Sequence, residues 1–514
     1  MVLKVAQALA DKFFPYQYAY HILIGLIALT VLRAFSQGRT TNRERDLHNR
    51  TFLVTGGFTP LGLTLLQNLA QRGAKIVALS PYPIDSTAVT ILISLLRTTY
   101  NNEDIYAEQC DLSDSHSIRD FCMLFLTEGR DNRLDGIIFA HEYQHIGTPR
   151  ILRNKTINAQ TEDEETQRES QSLATFLITT LLLPALLVAP VERDIRIINV
   201  VNSFYAAAAA SLRTSQTFDP IFKRLTPPPP TSTSSSVTSP PSTTSSSNSI
   251  FLTEGFRSLR TIIFTRHLQR IFDALPKPQI PKTEEGSSSV PIISAEMQRS
   301  NIVAVSVSPG ISRVDTFSRL LNADWSLTSE NASGGKEGNV EGNFSWIGVL
   351  FYVVLLPLLH LTTKSPKMAV QSTLHALFLP TPFKILSQSI STSSDSTSSK
   401  DGQGESSSTP PPKLSSLIRE EVLKPGALYA ECAVVRLDFS IPSPSPSPLD
   451  EKVKDEEKEH ESVLQITDDG EYGGEVAGRM VWEAYEAALK IWEKKSGSGR
   501  SDGASTKVGS KKAS

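Results

Sequence analysis

Eight consecutive residues, Thr55-Gly56-Gly57-Phe58-Thr59-Pro60-Leu61-Gly62, have the types and spacing to hold an anion through backbone groups. The apolar run Thr51-Phe52-Leu53-Val54 leads into them and the amphipathic run Leu61 to Ala70 leads out. That pattern is a buried strand, a glycine turn and a helix. Such a turn aims unpaired N–H groups and the positive end of a helix dipole at one spot, which suits a pyrophosphate. Gly56 allows a backbone shape that other residues resist, and Gly62 lets the helix sit close to the strand. Pro60 departs from the pattern. It stands where a G-x-x-x-G-x-G turn has its middle glycine, and it lacks an N–H, although it can open a helix from the first turn. Taken alone, the turn reads equally as an anion cradle or as a tight turn.

Two other places carry groups that could move protons. His141 and Glu142 follow the apolar run Leu134 to Ala140 and would lie at the carboxyl end of a central strand, where α/β sheets place ligands. They read as a proton-transfer pair or as a solvated loop pair. Ser203 and Tyr205 pair a hydroxyl with a phenol, or pack locally ahead of the Ala206 to Ala210 run. His145, His360 and His375 read as structural. Cys110, Cys122 and Cys432 are scattered, so no metal-ligand spacing and no disulfide framework is expected, which suits a reducing compartment. A net charge of −3 offers no global basic field for nucleic acid.

The elements that must position these groups follow from the pattern. Lys75 to Leu79, Ile105 to Glu108, Leu134 to Ala140, Ile195 to Val201, Asn301 to Val307 and Cys432 to Leu437 read as further strands. Between them lie helical stretches at Val89 to Leu96, Ile118 to Leu126, Leu173 to Val188, Phe251 to Leu275, Met368 to Phe378 and Glu475 to Trp492. Ser113 or Asp114 is placed to cap the second of these. Apolar strands alternating with helices predict an α/β domain, a Rossmann-like doubly wound parallel sheet with helices on both faces. Of the 514 residues, positions 50–492 are assigned to this domain. Ser/Pro/Thr-rich inserts at 226–249, 276–290, 328–343, 387–416 and 442–461, and a tail at 493–514, are expected to be disordered. Residues 1–37 carry an apolar run of about 20 residues, Tyr16 to Phe35, the length of one membrane crossing at about 1.5 Å per residue. Arg33, Arg39, Arg43 and Arg45 follow it, which places the main domain in the cytosol. A second run, Trp346 to Leu361, is 16 residues long with Pro357 near its end, and reads as a monotopic helix or a buried core helix.

In order along the chain, Leu53-Val54-Thr55-Gly56 through Gly62, Leu69 to Ala74, Cys110-Asp111-Leu112, Phe176 to Thr179, Ile263 to Arg266, Val307-Ser308-Pro309-Gly310 with Thr316, Ser365 to Ala376 and Gly426 to Tyr429 resemble the short-chain dehydrogenase/reductase superfamily. The resemblance is to the branch of retinol dehydrogenases and WW-domain oxidoreductases. The long inserts and N-terminal anchor also resemble a fungal branch of membrane-anchored proteins. It implies NAD or NADP as cofactor, held by Thr55, Gly56, Gly57, Thr59, Gly62, Asp111, Pro309 and Gly310, with Asp111 on the adenine edge. Ser80-Pro81, after the second strand, leaves the choice between the two nucleotides open.

The superfamily's catalytic groups are not matched. Its Tyr-x-x-x-Lys pair falls on Glu254 and Ser258, or in a shifted register on Phe256 and Arg260. Its carbonyl-polarising serine falls on Asn202, one residue before Ser203, and its helix asparagine on Gln171. The Asn-Asn-Ala-Gly turn becomes Phe139-Ala140-His141-Glu142. Two functions are therefore carried forward. One is a membrane-anchored binding or scaffold module without standard reductase activity. The other is an NAD(P)-dependent oxidoreductase of lipophilic carbonyls or alcohols, of steroid, retinoid or sphingoid type, using displaced groups such as Ser203 and Tyr205. Either fits the endoplasmic reticulum or the mitochondrial outer membrane.

Overall fold

In a computed structural model the described residues are 16–127, 133–144, 158–187, 193–215, 219–222, 250–275, 301–321, 323, 346–381, 421–437, 439, 466 and 468–504. The five inserts, His145 and the last ten residues lie outside them. An apolar helix, α1 (Tyr16–Gln37), comes first. The domain then runs β1 (Thr51–Thr55), α2 (Pro60–Ala70), β2 (Lys75–Ser80), α3 (Thr87–Tyr100), β3 (Ile105–Gln109), α4 (Ser115–Thr127) and β4 (Gly136–Phe139). It continues with α5 (Asn158–Leu187), β5 (Ile195–Val200), α6 (Tyr205–Ser215), α7 (Ile250–Ala274) and β6 (Ile302–Ser308). It closes with α8 (Trp346–Thr362), α9 (Gln371–Phe378), β7 (Leu428–Ala430), β8 (Ala433–Val435) and α10 (Gly474–Ala504).

The strands form one sheet in the order β3-β2-β1-β4-β5-β6-β7-β8. All neighbours are parallel except β7 and β8, an antiparallel edge hairpin where the pattern predicts a single strand from Cys432. Side chains alternate across the sheet as a period of two demands. Leu53, Ile137, Phe139, Ile197 and Ala304 face a core formed with α4, α5, α7 and α10. Phe52, Val54, Ile138, Ile198 and Val305 face the opposite core, formed with α2, α3 and α9. The strand order reverses direction of growth at β1, with β2 on one side and β4 on the other, and such a switch point opens a crevice at the strands' carboxyl ends.

Two helices run longer than their sequence pattern. α5 begins at Asn158, well before the apolar stretch from Leu173. α10 continues to Ala504, past residue 493 where the composition places a disordered tail. α7 is buried on every side from Glu254 to Thr265 because α10 covers the flank that the sheet does not. Phe176 of α5 stacks on Tyr485 of α10 with ring centroids 5.4 Å apart, and Phe264 and Trp482 close the cluster. At the amino end of the sheet, the buried Arg196 pairs with Asp194 and donates to Ala376 O at 2.7 Å, in the last turn of α9, and to Leu379 O at 2.6 Å, just past its end.

Candidate functional site

Gly56 ends β1 with φ +67, the left-handed region, and a side chain there would collide with the backbone of Ala140 and His141. A Cβ on Gly62 would lie 2.0 Å from Gly56 O, so only glycine lets α2 start this close to the strand. Gly57 meets Leu66 of α2. Thr59 is the N-cap, its Oγ1 accepting from Gly62 N at 3.0 Å, and Pro60 is the first helical residue. The first-turn donors are already engaged: Thr59 N donates to Gly56 O, Gly62 N to Thr59 Oγ1 and Leu63 N to Thr59 O. Leu61 N donates to Asp315 Oδ1 at 3.1 Å.

Asp315 comes from a single π-helical turn, Arg313–Phe317, that follows β6 and the Pro309-Gly310 pair. It is 1 % exposed, and its Oδ2 accepts from Ser312 Oγ at 2.8 Å. Tyr143, fully buried in a 3-10 turn after β4, holds the same stretch. Its hydroxyl donates to Gly310 O at 2.8 Å and accepts from Ser312 N at 3.0 Å. Burial, with Asp315 nearby, pushes the Tyr143 phenol far above its ordinary range, so it stays protonated. Gly310 has φ +93, and Lys364 donates to Pro309 O at 3.0 Å. Asp111 is exposed, accepting from Ser113 N at 2.8 Å, while Asp114 caps α4 through His116 N.

The His141–Glu142 pair is not the solvated loop pair that the sequence suggests, because both side chains are buried under α5. His141 Nε2 faces Gln171 O at 2.9 Å and must donate to it, so Nδ1 accepts from Thr55 Oγ1 at 2.7 Å. Burial lowers the imidazole to about 4, which keeps it neutral. Glu142 accepts from Thr175 Oγ1 and Thr261 Oγ1, each at 2.8 Å, and burial raises its pKa against those donors. Ser203 Oγ lies 3.0 Å from Ser308 Oγ. Tyr205 packs in the apolar core, where burial raises its phenol.

Between α5 and α7 lies a cluster of charges. Glu254 pairs with Arg257 and with Arg168, and Glu169 pairs with Arg257 at 2.9 Å and Arg260 at 2.7 Å. Burial opposes ionisation of Glu169, but Arg260 and Arg257 overcome it and hold its carboxyl at about 2. Ser258 Oγ accepts from Asn202 N at 3.2 Å, so the α7 face bearing Ser258 is the one turned to the end of β5. Phe256 is in the core, and Arg260 lies over the Tyr485 ring at 5.5 Å, toward α10. Of the two possible registers, the fold therefore selects Glu254 and Ser258.

Residues 50–160, from β1 through β4, match the family model described as KR domain. An uncharacterized oxidoreductase of Saccharomyces cerevisiae is 30 % identical over 37 % of this chain and 46 % of its own length. Human retinol dehydrogenase 11 is 30 % identical over 21 % of this chain and 32 % of its own. The chain thus spans less than half the length of these relatives. A short chain dehydrogenase of Shigella flexneri 2a, solved in complex with NADP, is 12 % identical over 64 % of this chain and 93 % of that one, with a TM-score of 0.36. These likenesses support the resemblance to the short-chain dehydrogenase/reductase superfamily.

That superfamily implies a dinucleotide with its pyrophosphate at the start of α2. The glycines fit it, but the donors do not. Pro60 has no N–H, Leu61 N serves Asp315, and the N–H groups of Thr59, Gly62 and Leu63 are bonded within the turn. A buried carboxylate stands where an anion would have to enter. Asp315 and Tyr143 were missed by pattern reading. Ser312-x-x-Asp315 does carry the local signature of a helix start, yet nothing local links it to a turn some 250 positions earlier.

Proposed function

We propose that this protein is a membrane-anchored binding or scaffold module built on a short-chain dehydrogenase/reductase domain, without the standard reductase activity. The observation that carries this reading is the content of the catalytic corner. Glu254 and Ser258 stand where a phenol and an ammonium are needed, and Glu254 is bound into ion pairs with Arg257 and Arg168. Each lost acid–base group removes roughly 10²–10⁴ in rate. The experiment is NADPH consumption by the purified full chain with lipophilic ketones and aldehydes. No turnover above background is expected; turnover abolished by Tyr205→Phe would overturn the reading.

Membrane attachment rests on two helices. α1 exposes Tyr20 through Leu32 almost without interruption, and 22 helical residues span about 33 Å. α8 packs Tyr352 and Leu359 against Phe317, Leu321 and Ala323, and turns Phe351, Val354 and Leu358 outward. The carboxyl ends of the two helices meet, with Ser36 Oγ donating to Leu361 O at 2.6 Å and Gln37 Nε2 to Thr363 O at 3.0 Å. This supports a crossing by α1, with the domain in the cytosol, and a monotopic contact by α8. Imaging the chain with and without residues 1–37 tests the anchor and tells endoplasmic reticulum from mitochondrial outer membrane. A chain whose membrane-bound fraction is unchanged without those residues would refute the role of α1.

One finding favours the second reading, an NAD(P)-dependent oxidoreductase of lipophilic substrates: the relatives are named as oxidoreductases and retinol dehydrogenases. It requires turnover in the assay above.

A further inference from the structure

We infer that Asp315 is an internal anion that occupies the phosphate place of the glycine turn, so that the folded chain excludes dinucleotides. Three observations carry this. Asp315 is 1 % exposed and takes the Leu61 N–H at 3.1 Å, one of the first-turn donors that a helix start otherwise offers to phosphate. The other first-turn donors are bonded within the turn, at Thr59, Gly62 and Leu63, and Pro60 contributes none. The residues around Asp315 are tied down at several points rather than resting loosely on the crevice. Tyr143 bridges Gly310 O and Ser312 N, Ser312 Oγ donates to Asp315 Oδ2, and the backbones of Ile311 and Arg313 pair with Lys364.

The carboxylate therefore does for α2 what a pyrophosphate does elsewhere. It meets an otherwise unbonded first-turn donor with negative charge and complements the positive helix end. A dinucleotide would have to bring its own charge against this buried one and displace it. This deepens the scaffold reading but does not depend on it, since a protein can lose its catalytic groups and still hold a nucleotide.

The test is a titration of the full chain in detergent micelles or nanodiscs with NADPH and with NADH, read by nucleotide fluorescence. Wild type is compared with Asp315→Asn, which keeps the volume, and Asp315→Ser, which clears the place. Wild type is expected to show no saturable binding up to about 1 mM, and each variant to bind at least about tenfold more tightly than wild type. Hydrogen exchange at the Leu61 amide adds a measurement on wild type alone. The amide is expected to be protected and to be unaffected by NADPH. Saturable wild-type binding would overturn the proposal. So would variants that melt like wild type and bind no better, or a wild-type Leu61 amide that exchanges freely. The outcomes separate the two readings. Binding by wild type without turnover ends this inference and leaves the scaffold standing. Binding unlocked by Asp315→Ser together with NADPH oxidation supports the inference and ends the argument from lost catalytic groups that carries the scaffold reading.

Discussion

The glycine turn and the corner between α5 and α7 belong to the same crevice, yet they differ in what holds them. The turn is a backbone object. Gly56 has φ +67, a Cβ on Gly62 would strike Gly56 O, and Thr59 caps through its own hydroxyl, all within a few residues. The corner is a side-chain object, in which Glu169 and Glu254 from two helices balance Arg257 and Arg260 in a buried network. A backbone feature persists when its function changes, because the geometry still serves packing. A side-chain constellation depends instead on groups that separate elements bring together. Both places are filled from within the chain: the turn by Asp315, and the corner by ion pairs that leave Arg257 Nε and Arg260 Nε buried without a hydrogen-bond partner among the described residues.

The contrast can be broken by substitution, and the corner should be the more fragile. Arg257→Ala leaves Glu254 and Glu169 short of a buried partner and is expected to cost about 3–5 kcal/mol, read by denaturant unfolding. A cost under about 1 kcal/mol would mean that the network is ornamental. Next come the pH windows. In the unfolded chain an imidazole takes its proton near pH 6.5, but buried His141 does so only near 4. Between these values the unfolded state binds more protons, so stability falls as pH falls, by up to about 3 kcal/mol. His141→Gln should remove that slope. Glu169, held at about 2 by its arginines, contributes stability that is complete above about pH 4.3 and lost as pH drops toward 2. Glu169→Gln should flatten this lower window and leave the upper one intact. Urea titrations across pH on the three proteins would show whether the two windows are separate.

The turn should respond less to substitution. Gly62→Ala must push α2 off the strand and is expected to cost about 2 kcal/mol. Thr59→Ala removes the cap on α2 for about 1 kcal/mol, because Leu61 N and Leu63 N keep their other partners. A thermal-shift series ranking Thr59→Ala above Arg257→Ala would make the turn the more fragile of the two.

The turn was legible for a physical reason. Glycine at a positive φ, a capping hydroxyl and a first-turn proline act over a span of eight residues, so local pattern suffices. The alternation of Leu53 with Phe52 and Val54 likewise encodes a strand buried on both faces. The corner was half legible. Absence of the phenol and ammonium is visible in the order of residues, but the register that puts Ser258 against Asn202 needed the packing of α7 on β5. His141 and Glu142 were misjudged because their burial comes from α5, and helix coverage of a loop has no local signature. Asp315 and Tyr143 could not be found locally at all, since their partners lie far along the chain.

From residue order alone came the α/β class, the superfamily resemblance and the apolar N-terminal helix. These depend on periodicity, composition and short motifs, which are properties of neighbours in the chain. Only the folded molecule decided who occupies the crevice. Whether an N–H at a helix start waits for a ligand or is already bonded depends on a carboxylate brought there by β6 and the turn behind it, and that proximity is created by the sheet order rather than by any stretch of sequence.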